Sequence, residues 1–186
     1  IEVGETYDVT VRECGRLAKE RGLALAHSTN DPLVIAGAGT MTLEILEQEP
    51  ELDALVIALG GGSQSVGALT VAAARKPGLR IYAVGAEGAP AQYESWKRGE
   101  KLRDQPIRTF AEGIATGSAY DLTFDAMRAG LSGFVTVSED EIYAAIRDLI
   151  RITHNLPEGA GAAGLAGLRK LAPELEIAQL EKDRQQ

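Results

Sequence analysis

Asp53-Ala54-Leu55-Val56-Ile57-Ala58-Leu59-Gly60-Gly61-Gly62-Ser63-Gln64-Ser65-Val66-Gly67 changes character twice. From Asp53 to Leu59 the run is apolar without alternation, the pattern of a strand covered on both faces. Gly60 to Ser63 turns the chain, and the small apolar residues from Ser65 to Ala74 suit a helix packed close against a sheet. A glycine turn between a buried strand and a helix aims several backbone N–H groups at one point, with the positive end of the helix dipole behind them. A phosphate fits there, and Ser63 and Ser65 can add hydroxyl donors. A tight turn that needs positive φ would use the same residues, and the local sequence leaves both readings open.

Working outward, helical and strand patterns alternate, the signature of an α/β fold with a largely parallel sheet. Before the loop, Ile1-Glu2-Val3 reads as strand, Thr6 to Glu20 as a helix stopped by Gly22, and Leu23 to His27 as a short strand. Asn30-Asp31-Pro32 offers a cap and a first-turn proline for a helix toward Gln48, with Ile35, Leu43 and Leu46 on its inner face. After the loop, Leu79 to Val84 is the next buried strand. Ala91 to Arg98 is a polar helix carrying the single tryptophan, Trp96, a surface excursion or a partner contact. Ser118 to Ala129 is a helix closed by Gly130, and Phe134 to Val137 a strand. Ser138-Glu139-Asp140-Glu141 is a capping box that starts a helix running to about His154. Glu158 to Gly164 opens another helix whose small residues permit close backbone approach, and the charged tail from Pro173 reads as a terminal helix that frays.

Composition sets limits on function. The 186 residues are 45% hydrophobic, enough for a real core, and the formal net charge is −8. The basic residues are scattered, so nucleic acid and anionic membrane surfaces are excluded as expected partners. Any anion must be held by backbone amides and helix ends, because the overall field repels it. The lone cysteine, Cys14, fits a reducing compartment and falls in the helical pattern Tyr7, Val11, Cys14, Leu17, which argues for packing. No apolar run reaches the ~20 residues of a membrane helix, and the first residues lack a signal peptide's basic and apolar regions. The expected location is cytoplasmic. The chain starts at Ile1 and reads as a portion of a longer protein.

Other motifs fail on inspection. Gly60-x-Gly62 is followed by Ser65, and Gly37-x-Gly39 by Thr42, where a dinucleotide fingerprint wants glycine. Neither loop has a nucleotide-loop lysine, and a serine-hydrolase elbow around Ser65 would need glycine at position 63. His27 and His154 lack ligands at metal spacing. His27, at a strand end, reads as a satisfied polar residue rather than a base.

Several stretches, in order, resemble the fold-type II pyridoxal-phosphate enzymes, and most closely the threonine and serine dehydratases. His27-Ser28-Thr29-Asn30-Asp31-Pro32 followed by Ala36-Gly37-Ala38-Gly39-Thr40 and Glu44 resembles "H-P-[FY]-D-x-x … G-Q-G-T-x-x-x-E". Gly60-Gly61-Gly62-Ser63 falls on that family's tetraglycine phosphate loop. Ala111-Glu112-Gly113-Ile114-Ala115 resembles "A-D-G-[IV]-A", and Glu158 to Ala162 resembles "E-P-x-G-A". The similarity runs from the first residue to about Leu171.

The resemblance implies a three-layer α/β fold, an open, mostly parallel sheet with helices on both faces. It divides the chain into 1–32, the remainder of a small domain and a crossover, and 33–186, a large cofactor-binding domain incomplete at its C-terminal end. It implies pyridoxal 5'-phosphate as cofactor, which acts as the electron sink while the protein orients it. Gly60, Gly61, Gly62 and Ser63 would hold its phosphate, Gly113 would lie beside its ring, and Glu158 near its nitrogen side. The implied activity is elimination of the β-hydroxyl of a small amino acid to give a 2-keto acid and ammonia.

The sequence departs from that pattern in definite places. The lysine that binds the cofactor in that family, in a Ser-x-Lys-x-Arg setting, is absent from this sequence, so the catalytic residue stays unknown. Also absent is a final Ser-Gly-Gly-Asn type strand. Ala38 replaces glutamine, Ser63 the fourth loop glycine and Gly159 the proline. In relatives with a divalent-cation site the glutamate matching Glu87 is joined by an acid six residues on. Tyr93 stands there, so no metal is expected. The parent is expected to associate as a homo-oligomer or with a complementing N-terminal segment. Two alternatives stay open: a β-replacement enzyme of the cysteine or tryptophan synthase type, which Ser63 favours, and a lysine-free phosphate- or cofactor-binding protein without catalysis.

Overall fold

Three apolar segments rich in Val, Ile and Ala pair side by side because their backbones can be satisfied only by one another once both faces are covered. In the computed structural model, which describes residues 2–183, they are β1 (Ala54–Ala58), β2 (Arg80–Ala86) and β3 (Gly133–Val137). They form one parallel sheet in the order β1-β2-β3. Ala54 lies opposite Arg80 and Ala58 opposite Val84; Tyr82 lies opposite Gly133 and Ala86 opposite Val137. Side chains alternate between faces along each strand. Ile81 and Ala83 of β2 join Ile57, Phe134 and helix residues Val66, Ala68, Ala72 and Met127 in one core. Val84 and Ala86 point the other way, into a second core with Val137, Ile142, Ala145 and Ala160 to Ala166.

The helices supply those two outer layers. On the first face lie α2 (Pro32–Gln48), α3 (Ser63–Arg75), α4 (Ala91–Arg98) and α5 (Asp121–Gly130). On the second lie α6 (Glu139–Asp148) and α7 (Gly159–Asp183). This is the expected three-layer α/β arrangement. Local chemistry starts the helices as their sequences require. The Asp31 carboxylate accepts from the N–H groups of Leu33 and Val34 ahead of Pro32, and Ser138 with Glu141 closes a reciprocal capping box. Two helices approach backbone to backbone at Gly39 and Gly67, where a Cβ on Gly67 would stand 2.6 Å from the Gly39 nitrogen. No helix among the described residues is long and apolar enough to cross a membrane.

Some local readings need correction. Glu2 and Val3 of the expected Ile1-Glu2-Val3 strand, and Leu23 to His27, are irregular, not strands, and Ile1 lies outside the described residues; Leu23 and Leu25 are exposed, and among the described residues no strand lies beside them to complete their hydrogen bonding. The first helix, α1 (Tyr7–Arg21), forms as expected, with Thr6 as cap and Gly22 left-handed at its end. Yet it buries none of its residues, and Cys14 is exposed. The apolar pattern there gave the helix correctly and its burial wrongly. Strand β1 is an outer strand of the described sheet, so Leu55, Val56 and Ala58 stay half-buried.

Helix α4 is not a surface excursion. It buries Ala91, Gln92 and Ser95, and its Tyr93 and Trp96 rings pack on Phe134 at 5.5 and 6.0 Å. Helix α5 starts at Asp121, three residues later than its pattern suggests; Ser118 and Ala119 are tied instead by hydrogen bonds to the Leu102 to Gln105 segment. Helix α6 passes into a single π-helical turn, Leu149–Thr153, which His154 ends at φ 58°. Helix α7 continues through Pro173 to Asp183, so the charged tail joins the preceding helix as one element; residues 184–186 of that tail lie outside the described residues.

Candidate phosphate and cofactor site

The loop after β1 is built so that its carbonyls face inward to protein and its N–H groups face a cavity. Thr116 donates its hydroxyl to the Gly60 carbonyl at 3.2 Å, and Thr123 donates to the Gly61 carbonyl at 2.9 Å. Because the peptide unit is planar and trans, the N–H following each carbonyl points the opposite way. Gly62 sits at φ 95° and turns the chain into α3. The first N–H groups of a helix have no partner within it. Here that of Ser63 reaches the Thr29 hydroxyl at 3.2 Å, while those of Gln64 and Ser65 find no acceptor among the described residues.

The glycines are also there for what packs behind them. A Cβ on Gly60 would meet the Gly113 carbonyl oxygen at 2.5 Å, and one on Gly61 would meet Thr29 at 2.3 Å. A Cβ on Gly62 would stand 2.7 Å from the Met127 sulfur, so the positive φ and the packing agree in demanding glycine. The turn reading of this loop is met by these contacts and by the Gly62 φ, and the phosphate reading draws on the same residues.

In front of the loop is a cavity of about 340 Å³ lined by Gly60 to Gln64, Tyr7, Ser28, Thr29, Ala58, Glu112, Gly113, Ala115 and Thr116. No lysine or arginine among the described residues lines it. Any anion held here would be held by peptide N–H groups, as the net charge of −8 requires. The structure thus brings Gly60, Gly61, Gly62, Ser63 and Gly113 around one cavity. Glu158 stands next to Gly113, its Oε1 3.5 Å from where a Gly113 Cβ would be, and it lines an adjoining groove with Gly113 and β1. Its carboxylate is already engaged, accepting from the N–H groups of Ala160 at 2.8 Å and Gly161 at 2.7 Å to cap α7. The Ser65 hydroxyl does not join the site: it is buried in α3 and has no partner among the described residues.

Thr29, Thr116 and Thr123 carry no signal in the sequence that marks them for this site. Thr29 is only 5% exposed. Its position is fixed from behind by His27, whose Nδ1 accepts from the N–H groups of Thr29 at 3.1 Å and Asn30 at 2.9 Å. Burial holds the His27 pKa below the usual imidazole value, against the opposing charge of Asp31. A ring that accepts two N–H groups on Nδ1 is a structural group in its neutral form, as expected. It meets Tyr120 edge-on at 5.4 Å, and burial with the nearby Asp8 pushes the Tyr120 hydroxyl pKa up. Glu87 pairs with Lys170 at 3.4 Å.

These features suit the phosphate end of pyridoxal phosphate: a concave nest of uncommitted N–H groups, a helix N-terminus behind it, and glycine walls that a Cβ would fill. Comparison with known proteins agrees. The mitochondrial threonine dehydratase of Schizosaccharomyces pombe is 36% identical over 169 residues, which is 90% of this chain and 28% of that protein. The L-threonine ammonia-lyase of Thermotoga maritima is 34% identical over 165 residues, 89% of this chain and 41% of that protein. Among solved structures, the T.th. threonine deaminase matches with a TM-score of 0.80 at 35% identity, over 86% of this chain and 56% of that one. Isoform 2 of threonine deaminase from Solanum lycopersicum matches with a TM-score of 0.83 at 31% identity, over 90% and 49%. The chain spans well under half the length of the curated relatives it matches. The pyridoxal-phosphate dependent enzymes as a family match residues 1–180, nearly the whole sequence, and the chain belongs to that family.

Proposed function

We propose that these residues are the cofactor-side portion of a pyridoxal-phosphate-dependent threonine or serine dehydratase, a lyase that converts a small hydroxy amino acid to a 2-keto acid and ammonia. The observation that carries the reading is the nest of N–H groups from Gly61 to Ser65, set in a chain similar along nearly its full length to threonine dehydratases.

In this reading Gly60 to Ser63 bind the phosphate through backbone N–H groups and so fix one end of the cofactor. When bound, the cofactor supplies an electron sink for the carbanion left at the amino acid's α-carbon. Gly113 gives the ring a flat wall, since a side chain there would meet Ala160 at 2.9 Å. Glu158, held by the N-terminus of α7, would place negative charge beside that wall, on the side of the ring away from the phosphate. The lysine that carries the cofactor belongs to the parent protein outside this sequence. Residues 1–32 belong with the small domain and crossover: α1 buries none of its own residues, whereas α2 packs into a core. Residues 33–186 form the large-domain part. The parent acts in the cytoplasm, as a homo-oligomer or completed by an N-terminal segment.

The test is direct. The full-length protein is incubated with L-threonine and L-serine, and keto acid and ammonia are measured. In parallel it is reduced with borohydride and its intact mass is taken. Keto acid from either amino acid together with a pyridoxyl mass on a lysine is the expected result. Keto acid from neither would refute the dehydratase reading, and an unmodified mass would remove lysine-bound cofactor chemistry with it.

A further inference from the structure

We propose that Thr116 and Thr123 are positioning residues of the phosphate site, whose hydroxyls lock the Gly60–Gly61 and Gly61–Gly62 peptides in the orientation that presents their N–H groups to the ligand. The proposal rests on the reading of Gly60 to Ser63 as a phosphate loop and adds what holds that loop in register.

The physical case begins with the freedom of the loop. Glycine peptides rotate readily, and a run of them has no side chain of its own to set which edge faces the cavity. An anion is bound well only if the N–H edges converge before it arrives; otherwise part of the binding energy goes into ordering the loop. Each threonine removes that freedom at one peptide. Thr123 comes from α5, is fully buried, and donates to the Gly61 carbonyl at 2.9 Å. Thr116 comes from the segment that also carries Gly113, is 8% exposed, and donates to the Gly60 carbonyl at 3.2 Å. Both threonine side chains are largely withdrawn from bulk water. Turning either peptide over would leave a buried hydroxyl without its acceptor and point a carbonyl oxygen at the phosphate.

The two anchors also come from different walls. Thr116 ties the loop to the surface proposed to lie against the cofactor ring, and Thr123 ties it to the helix whose Met127 closes over Gly62. The phosphate end and ring end of the site are therefore held in a fixed relation by hydrogen bonds as well as by the contact of Gly60 with Gly113. Serine and threonine can both make this donation; valine has the shape of threonine without the hydroxyl.

The experiment uses the full-length apoprotein with T123V, T116V, T123S and T116S. Each is titrated with pyridoxal phosphate and with pyridoxal, which lacks the phosphate, and the ³¹P resonance of the bound cofactor is recorded. The wild type is expected to bind the phosphorylated form far more tightly. T123V should lose about tenfold in pyridoxal phosphate affinity and T116V about threefold, the scale of one buried carbonyl left unpaired. Pyridoxal affinity should stay within about twofold, the phosphate resonance should move toward that of free cofactor, and the serine variants should recover wild-type behaviour. If T123V does not fold, T116V against T116S carries the same comparison. Unchanged pyridoxal phosphate affinity in the valine variants would overturn the proposal. So would an equal loss for both ligands, since that marks general damage rather than loop orientation. A wild type indifferent to the phosphate would instead overturn the phosphate-loop reading itself.

Discussion

Replacing Gly60 by alanine tests the loop where its two demands meet. The built Cβ lies 2.5 Å from the Gly113 carbonyl oxygen and 3.4 Å from the Ile114 Cα, and both are backbone atoms that cannot swing aside. Restoring an ordinary contact of about 3.4 Å requires the loop and the Gly113 segment to part by roughly 0.9 Å. The Thr116 to Gly60 bond, already 3.2 Å, would then be lost. Overpacking of this kind costs about 1–3 kcal/mol. At roughly 2–4 °C per kcal/mol for a domain of this size, the apoprotein should melt roughly 2–12 °C lower. Cofactor affinity should fall as well, because the phosphate and ring surfaces no longer keep their spacing. Gly37 in α2 is the control: nothing lies within 4 Å of its built Cβ. There alanine should raise stability by about 0.5–1 kcal/mol through helix propensity alone. Thermal denaturation of both variants and a cofactor titration decide it. A Gly60→Ala protein that melts and binds like wild type would show that the loop does not lie against Gly113.

Further outcomes follow from the neighbouring groups. Burial depresses the His27 pKa in the folded state, so the unfolded chain takes up the proton first; the stability His27 contributes is present above about pH 6.5 and is lost as pH falls below it. H27N keeps an acceptor without that titration, and its urea midpoint should fall less between pH 7.5 and 5.5 than the wild type's; parallel slopes would remove His27 from the account. Removing the Glu158 carboxylate with E158A deprives the N–H groups of Ala160 and Gly161 of their acceptor and should cost about 0.5–2 kcal/mol, with E158Q recovering part of it in the same denaturation assay. G67A drives a Cβ to 2.6 Å from the Gly39 nitrogen and 2.8 Å from the Ile35 carbonyl, whereas a Cβ on Gly39 meets nothing nearer than 3.3 Å. G67A should therefore lower the melting temperature clearly more than G39A, and the reverse order would contradict the close packing of α2 on α3.

How far the sequence could be read depended on the range of the interaction that decides each feature. The Asp31-Pro32 start, the Ser138 and Glu141 box and the glycine turn are set by residues a few positions apart, and each stands where its local pattern puts it. Burial of α1 is not local: the row Tyr7, Val11, Cys14, Leu17 makes a helix, but only a covering surface would bury Cys14, and among the described residues none does. Leu23 to His27 has strand-like composition with no strand to pair with among the described residues. Trp96 looked like a surface feature because α4 is polar overall, while the ring it packs against, Phe134, lies on β3. The threonine anchors are the extreme case. Thr116 lies 56 residues from Gly60 and Thr123 lies 62 from Gly61, and a single threonine in an undistinguished stretch carries no local signal of its partner.

That distance separates what a glycine loop permits from what makes it bind. Glycines at 60 to 62 let the backbone approach Gly113, Thr29 and Met127, and they let Gly62 take φ 95°. None of this chooses between N–H groups and carbonyls at the cavity. The choice is made by hydroxyls arriving from elsewhere in the fold, and in a chain of net charge −8 with no cationic side chain among the described residues at the cavity it decides whether an anion is attracted or repelled. Loops with the same glycines but apolar residues at the two anchor positions would keep the turn and lose the preorganised nest. Loop sequence alone is therefore a weaker guide to phosphate binding in this architecture than the loop taken together with the residues that hold its carbonyls.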